Sequence, residues 1–386
     1  MQWQILHVAT DSFSAYKLAA PLASYLNAHG FQSTIVCSPD APGSSFIYRM
    51  ERQGLKVLPV EMMPPLNAVA DGQAFLRLRR IMQTEKTDLV HTYCSKAGFL
   101  GRLAARSLSL PAVHTVQNFS FMNEVGSKRE SYLWLERLAG LMTQRLFFLA
   151  ESEHNLSQKY EIGTPYQRVL VGLGIPLDQF QPSRVTIAKV AEVRQHYGIP
   201  EDKAVIGTVA PLVKQKRLGL LLEAVGLLRA RFERVHLLVV GGGPLKEELV
   251  GRAKELGLEE GVTFTDSVTQ QEDLPALYAL MTAFCLMAER ESGGMAYAEA
   301  SAMGKPVVAT DIAPVNQIVL QNQTGLLVPA TDSAETVAAN LEKLLLDKQL
   351  RIELGTNGLK HIQANYNNLN RFPRIRDEYI ELLHSK

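Results

Sequence analysis

Glu291 and Glu299 lie eight residues apart in the segment Glu291-Ser292-Gly293-Gly294-Met295-Ala296-Tyr297-Ala298-Glu299. On one continuous helix the two would sit ~12 Å apart along the axis and on different faces, so they could not meet one ligand. The glycines remove the difficulty if Glu291 ends a strand, the chain turns at Gly293-Gly294 and a helix starts near Met295. Backbone N–H groups at such a start attract an anion, and glycine places no Cβ in the way. A carboxylate one turn further in, at Glu299, suits hydrogen bonds from a diol such as a ribose or a sugar. The competing reading is a surface helix carrying two solvated glutamates after a flexible turn.

A scaffold that could hold these groups is legible on both sides of the segment. Short apolar runs alternate with helical ones: Ile5 to Ala9, Gln32 to Cys37, Leu55 to Val60, Leu89 to Thr92, Ala112 to Val116 and Arg145 to Leu149 read as strands. Ser14 to His29 (stopped by Gly30), Phe75 to Thr84, Ala97 to Ser107 and Ser131 to Thr143 read as helices between them. Pro64-Pro65 reads as a break. After Val169 to Val171 a second series begins, with strands at Val205 to Val209, Val235 to Val240, Val262 to Phe264, Ala283 to Met287 and Val307 to Ala309. Such alternation indicates βαβ units and parallel sheets. The expected architecture is α/β: two Rossmann-like, doubly wound parallel-sheet domains facing each other across a cleft. The boundary is placed near Phe180 to Val185, giving residues 1–182 and 183–369. Ligands of such sheets bind at the carboxyl ends of the strands.

Composition narrows the classes. The chain has 386 residues, 46% of them hydrophobic, enough for two or three domains with real cores. Lys plus Arg number 40 against 39 Asp plus Glu, a net charge of +1, which argues against a general nucleic-acid coat. Cys37, Cys94 and Cys285 form no CxxC pair, so neither a disulfide framework nor a structural zinc site is expected. A reducing cytosol is the simplest home. The first residues read as a strand rather than a signal peptide, and no run of ~18 apolar residues occurs, so any membrane contact would be peripheral.

The segment continues as Ala300-Ser301-Ala302-Met303-Gly304-Lys305-Pro306-Val307-Val308-Ala309-Thr310. Glu291 to Thr310 closely resembles the hallmark of the retaining nucleotide-sugar glycosyltransferases of the two-Rossmann (GT-B) type, family 4. Lys216 in Val213-Lys214-Gln215-Lys216, the turn Val240-Gly241-Gly242-Gly243-Pro244 and Thr324-Gly325-Leu326-Leu327-Val328-Pro329 resemble it too. Asp88-Leu89-Val90-His91-Thr92 with Ser95-Lys96-Ala97-Gly98 and Gly101-Arg102-Leu103 is similar to members acting on lipid-linked sugars. The resemblance implies that Glu299 binds the nucleotide ribose, that Glu291 contacts donor-sugar hydroxyls and that Lys216 neutralises the diphosphate. It implies a nucleotide-sugar donor, a UDP-sugar foremost, on the second domain, beside the helix start at Gly293, Gly294 and Met295. It implies a hydroxyl acceptor, lipid-linked or a cell-surface glycan precursor, on the first domain. It implies no metal or cofactor, and a final helix, 370–386, packed back on the first domain.

Three positions depart from the pattern. Pro211 stands where the family has a diphosphate-binding arginine, Gln117 where it has a histidine beside the reacting sugar, and Met287-Ala288 where it has Pro-Ser. Lys214 and Arg217 are candidate replacements for the missing charge. Ser12, Ser14, Lys96 and His114 are candidates on the acceptor side, although a plain turn accounts equally for the serines and a satisfied core histidine for His114. The basic run Phe75 to Met82 suits an anionic membrane on the inner face; a packed helix with a solvated basic face is the alternative. A non-catalytic sugar-nucleotide binding protein and a sugar-nucleotide epimerase are the other readings of the whole chain.

Overall fold

The computed structural model describes the chain apart from residues 1, 43, 63–66, 267–272, 292 and 386. The expected break at Pro64-Pro65 and Ser292 of the glutamate segment thus lie outside the described residues. The chain divides into two units, residues 1–173 with 369–386, and residues 174–368.

The first unit holds one parallel sheet of seven strands: β1 (Trp3–Val8), β2 (Phe31–Cys37), β3 (Lys56–Pro59), β4 (Leu89–Tyr93), β5 (Ala112–Val116), β6 (Arg145–Phe148) and β7 (Arg168–Leu170). Their spatial order is β3-β2-β1-β4-β5-β6-β7. β4 and β5 are buried at every position and β1 at its last four, which is why they show no apolar-polar alternation, although each also buries a histidine: His91, His114 and His7. The helix Ala68–Thr84 buries Ala74, Leu78 and Met82, spaced by four, in a cluster with Leu6, Val8, Val90 and Ala97. The last helix, Asn368–His384, buries Phe372, Ile375, Tyr379 and Leu383 on Ile5, Leu89, Val113 and Phe147. Arg145 holds that helix through Glu378 at 2.6 Å and Glu381 at 2.8 Å.

The second unit holds six parallel strands: β8 (Ala204–Val209), β9 (Val235–Val240), β10 (Val262–Phe264), β11 (Ala283–Leu286), β12 (Val307–Thr310) and β13 (Gly325–Val328), ordered β10-β9-β8-β11-β12-β13. In each sheet the order reverses once, between β1 and β4 and between β8 and β11. Such a reversal leaves the loops at the carboxyl ends diverging, and this is where a crevice opens in a doubly wound sheet.

Several boundaries differ from those expected. The division falls after Leu173, not after Pro182, because the intervening segment packs on the second unit: Ile175 exchanges backbone hydrogen bonds with Tyr366 and Asn368, and Phe180 lies edge-on to Tyr278. Glu291 does not end a strand. β11 stops at Leu286 and Glu291 lies five residues on, in the loop. The helices Phe46–Arg52 and Glu151–Lys159 are additional to those read from the sequence. They carry little periodicity, and only packing against their sheet makes them helical.

Candidate active site

At the reversal in the second unit, two loops meet. After β8 the chain runs through Ala210-Pro211-Leu212 into a short 3-10 turn, Lys214–Lys216. After β11 it runs through Met287 to Gly294 into the helix Met295–Ala302. The backbone N–H of Glu289 donates to the carbonyl of Gln215 at 2.8 Å, tying one loop to the other. Lys216 Nζ then reaches Glu291 Oε2 at 2.7 Å, with both side chains about seven-eighths buried. The first loop is held from its other side by Gly241, which has φ +143°; a Cβ there would stand 2.0 Å from the Ala210 carbonyl oxygen. Only glycine admits that approach.

The helix Met295–Ala302 starts where its sequence predicts. Gly294 precedes it in a left-handed conformation, φ +72° and ψ +24°. A Cβ on Gly294 would lie 2.3 Å from Ile318 Cδ1, so the position rejects a side chain on two grounds. Gly293 has open space around the corresponding direction. Glu299, in the second turn, is only 3% exposed. Its Oε2 accepts a hydrogen bond from the Tyr278 hydroxyl at 2.9 Å. Tyr297, on the same helix, donates its hydroxyl to the Leu286 carbonyl at 3.1 Å and so pins the helix to the end of β11.

The two candidate cations beside Lys216 differ. Arg217 takes the left-handed conformation, φ +48°, and donates to the Ala330 carbonyl at 2.7 Å. Lys214 is exposed, as is Pro211. Tyr278 and Ala330 were not singled out in the sequence. Tyr278 had a usable signal, because it is the one polar-tipped residue in the apolar helix Leu274–Leu280 and a buried tyrosine hydroxyl needs a partner. Ala330 contributes only its carbonyl, for which no side-chain signal exists.

At the reversal in the first unit the expected residues divide: Ser14 and Gln117 both reach Cys94, whereas His114 lies in the core. Asp11 caps the turn Ser12–Ser14: its Oδ1 accepts from the Ser14 N–H at 2.7 Å and its Oδ2 from the Ser14 hydroxyl at 2.9 Å. Ser12 is buried, 4% exposed. Lys96, in the first turn of the helix Ser95–Ser107, pairs with Asp71 Oδ1 at 2.7 Å. Gln117, just past β5, points its amide at the Cys94 sulfur 3.9 Å away. Cys94 itself carries φ +61° and ψ +164°, a conformation that L side chains rarely adopt and that is found where surrounding structure imposes it. His114 is not at this rim. Its ring is buried in the core, Nδ1 2.9 Å from the Thr92 hydroxyl, and packs so closely on Gly98 that a Cβ there would meet the ring at 2.7 Å. Burial, reinforced by Arg102, holds it well below the usual imidazole range. His7 and His91 are likewise buried and neutral, His7 pushed down to about 3 by burial.

Among the described residues no group of three or more His, Cys, Asp or Glu side chains is placed to hold a metal ion, and no helix is long and apolar enough to cross a membrane. The second-unit site offers a lysine, two buried carboxylates of different surroundings and a helix N-terminus. That set can bind an anion, accept from hydroxyls and stabilise charge on a leaving group.

Residues 189–361 match the family described as Glycosyl transferases group 1, and residues 17–174 match the Glycosyl transferase 4-like domain. The chain is 27% identical over 329 residues to an Escherichia coli UDP-Gal:alpha-D-GlcNAc-diphosphoundecaprenol alpha-1,3-galactosyltransferase, covering 83% of this chain and 82% of that protein. It is 31% identical over 288 residues to the D-inositol 3-phosphate glycosyltransferase of Corynebacterium jeikeium, covering 71% and 68%. Among solved structures, Anabaena Alr3699/HepE in complex with UDP and glucose superposes with a TM-score of 0.83 over 98% of this chain and 99% of that one, at 17% identity. At that identity the likeness is one of fold.

Proposed function

The chain belongs to the glycosyl transferases group 1 family and is a glycosyltransferase of the hexosyltransferase type, and from that premise we propose that it transfers a sugar from a UDP-sugar, with retention of configuration, to a hydroxyl of a lipid-linked acceptor. The observation that supports this reading most is the convergence of Lys216 and Glu291 beside the helix start at Gly294. In the proposed mechanism the donor diphosphate lies against Lys216 and the N–H groups of that helix. Lys216 is paired with Glu291 before any donor arrives, so its ammonium is already positioned. When the glycosidic bond breaks, negative charge grows on the β-phosphate, and a fixed cation there lowers the barrier without reorganising solvent. Glu291 accepts from donor-sugar hydroxyls and Glu299 from the ribose. The acceptor hydroxyl attacks on the face from which the diphosphate leaves, which gives retention, and its proton passes to the leaving phosphate oxygen. No resident metal is part of this reading; undiminished transfer in excess EDTA is the expected result.

The E. coli relative named for a UDP-sugar and a diphosphoundecaprenol acceptor supports both halves of the substrate assignment. A peripheral contact with the inner membrane face fits such an acceptor. Leu76 of the helix Ala68–Thr84 is 61% exposed with Arg77, Arg79 and Arg80 exposed beside it, and Val69, two turns earlier, is 72% exposed. Apolar side chains flanked by arginines suit an anionic lipid surface.

The test is incubation with UDP-sugars and GDP-sugars and a lipid-diphosphate sugar acceptor. Released nucleotide and the anomeric configuration of the product are read. Pro211 and Gln117, where the family pattern has charged or titratable groups, favour the second reading, a non-catalytic sugar-nucleotide binding protein. Nucleotide binding without transfer from any donor would establish that one.

A further inference from the structure

We propose that Tyr278 is a positioning residue for nucleotide recognition, holding the Glu299 carboxylate in the orientation that receives the ribose diol. The proposal rests on the assignment of Glu299 to the ribose and adds to it a second residue from a different helix. The Tyr278 hydroxyl lies 2.9 Å from Glu299 Oε2 and 3.3 Å from the carbonyl of Ala296, so it spans the first two turns of the helix Met295–Ala302. Tyr278 is fully buried and Glu299 nearly so. In such surroundings a carboxylate that rotates loses its partner and gains no water in exchange, so the hydrogen bond fixes the carboxylate plane.

The ring is itself braced. Phe180 stands edge-on to it with centroids 6.0 Å apart, and Phe284 lies tilted at 6.0 Å. The next residue, Ala279, accepts a hydrogen bond through its carbonyl from Lys305 Nζ at 2.8 Å. Lys305 is mostly desolvated, which pushes its ammonium down to about 8. Burial and the neighbouring carboxylate hold the Tyr278 phenol well above its usual value, so it stays a donor throughout the working pH range. A carboxylate oxygen can accept more than one hydrogen bond, so the contact with Tyr278 orients Glu299 without withdrawing it from a ligand.

The test compares the affinity of UDP with that of 2′,3′-dideoxy-UDP, which lacks the diol, in the unmutated chain, Tyr278→Phe, Glu299→Gln and Phe180→Leu. The unmutated chain should prefer UDP. Tyr278→Phe should lose roughly tenfold in UDP affinity, the scale of one hydrogen bond to a charged group, and little in dideoxy-UDP affinity, so the ratio collapses. A destabilised or partly unfolded variant weakens both ligands alike and leaves the ratio intact, so the measurement survives a folding defect. Phe180→Leu loosens the packing but keeps the hydroxyl, and should leave the ratio unchanged. If Glu299→Gln lowers the ratio and Tyr278→Phe does not, Tyr278 is a packing residue only and the proposal is overturned while the ribose assignment stands. If Glu299→Gln leaves the ratio unchanged, or neither UDP nor GDP binds the unmutated chain, the ribose assignment falls and the proposal with it.

Discussion

Lys216 and Glu291 are 75 positions apart in the chain and form an ion pair of 2.7 Å. The pair is mostly sheltered from solvent, so each charge is supported in part by the other. A sheltered charge left without its partner bears its full desolvation cost. On the proposed reading, donor binding shares Lys216 between Glu291 and the diphosphate rather than recruiting a lysine that starts without this ion pair.

Lys216→Ala is expected to abolish transfer, read as nucleotide released from the donor, and to leave Glu291 without this cation. Lys214→Ala should cost at least tenfold in turnover, because with Pro211 in place of an arginine the diphosphate otherwise meets one cation. Arg217 is engaged by the Ala330 carbonyl, so Arg217→Ala should act more through the shape of this loop than through charge. Turnover within threefold of the unmutated chain in both Lys214→Ala and Arg217→Ala would refute compensation for the lost arginine.

Glu299→Gln keeps the shape of the side chain and removes its charge. A hydrogen bond to a charged group is worth ~1.5–3 kcal/mol, so nucleotide affinity should fall roughly 10- to 100-fold by the tenfold-per-1.4 kcal/mol rule. Titration calorimetry with UDP and GDP measures it. The melting temperature should change little, because glutamine can still accept from Tyr278.

The two glycines should respond differently. Gly294→Ala places a Cβ 2.3 Å from Ile318 Cδ1 at a φ of +72°, and strain of this kind costs on the order of 1–3 kcal/mol. Gly293→Ala meets nothing within 4 Å and should be close to neutral. Thermal unfolding of the two variants side by side decides the point. Ile318→Val added to Gly294→Ala should recover the steric part of the loss but not the backbone part.

Acid should weaken the first unit. His7 is held at about 3, and His91 and His114 well below the usual imidazole range, all chiefly by burial. Arg371 faces His91 and Arg102 faces His114, so charging either imidazole adds repulsion. A group whose folded value is depressed stays neutral in the fold while the unfolded chain takes up protons below pH ~6.5. Stability is therefore fully present above that pH and falls as the pH drops. For His7 the decline continues to about pH 3, and by pH 5.5 it amounts to about 1.4 kcal/mol for one such group. Urea unfolding midpoints at pH 7.5 and 5.5 measure the loss, and His7→Gln should reduce it by the share of one such group while His91 and His114 keep theirs. A midpoint that holds or rises on acidification would contradict the buried, neutral state of these rings.

The helix start at Met295 was legible in the sequence because its cause is local. Two glycines permit a left-handed turn, and strong helix formers follow at once. The parallel sheets were legible because strands buried on both faces are mostly apolar and do not alternate. The pairing of Lys216 with Glu291 was beyond reach of such rules. It depends on β8 and β11 being neighbours although β9 and β10 intervene in the chain, and sheet order is set by long-range packing rather than by residue preference. The same holds for Tyr278 and Glu299, which stand on two different short helices and meet through the Tyr278 hydroxyl. It also holds for the end of the first unit: Ile175 and Phe180 are apolar residues that either unit could bury, and only the partners Tyr366, Asn368 and Tyr278 assign them to the second. Residue types and spacing thus determined which groups could do chemistry, whereas the distances between those groups came from contacts between segments far apart in the chain, whose entropy cost only a complete core repays.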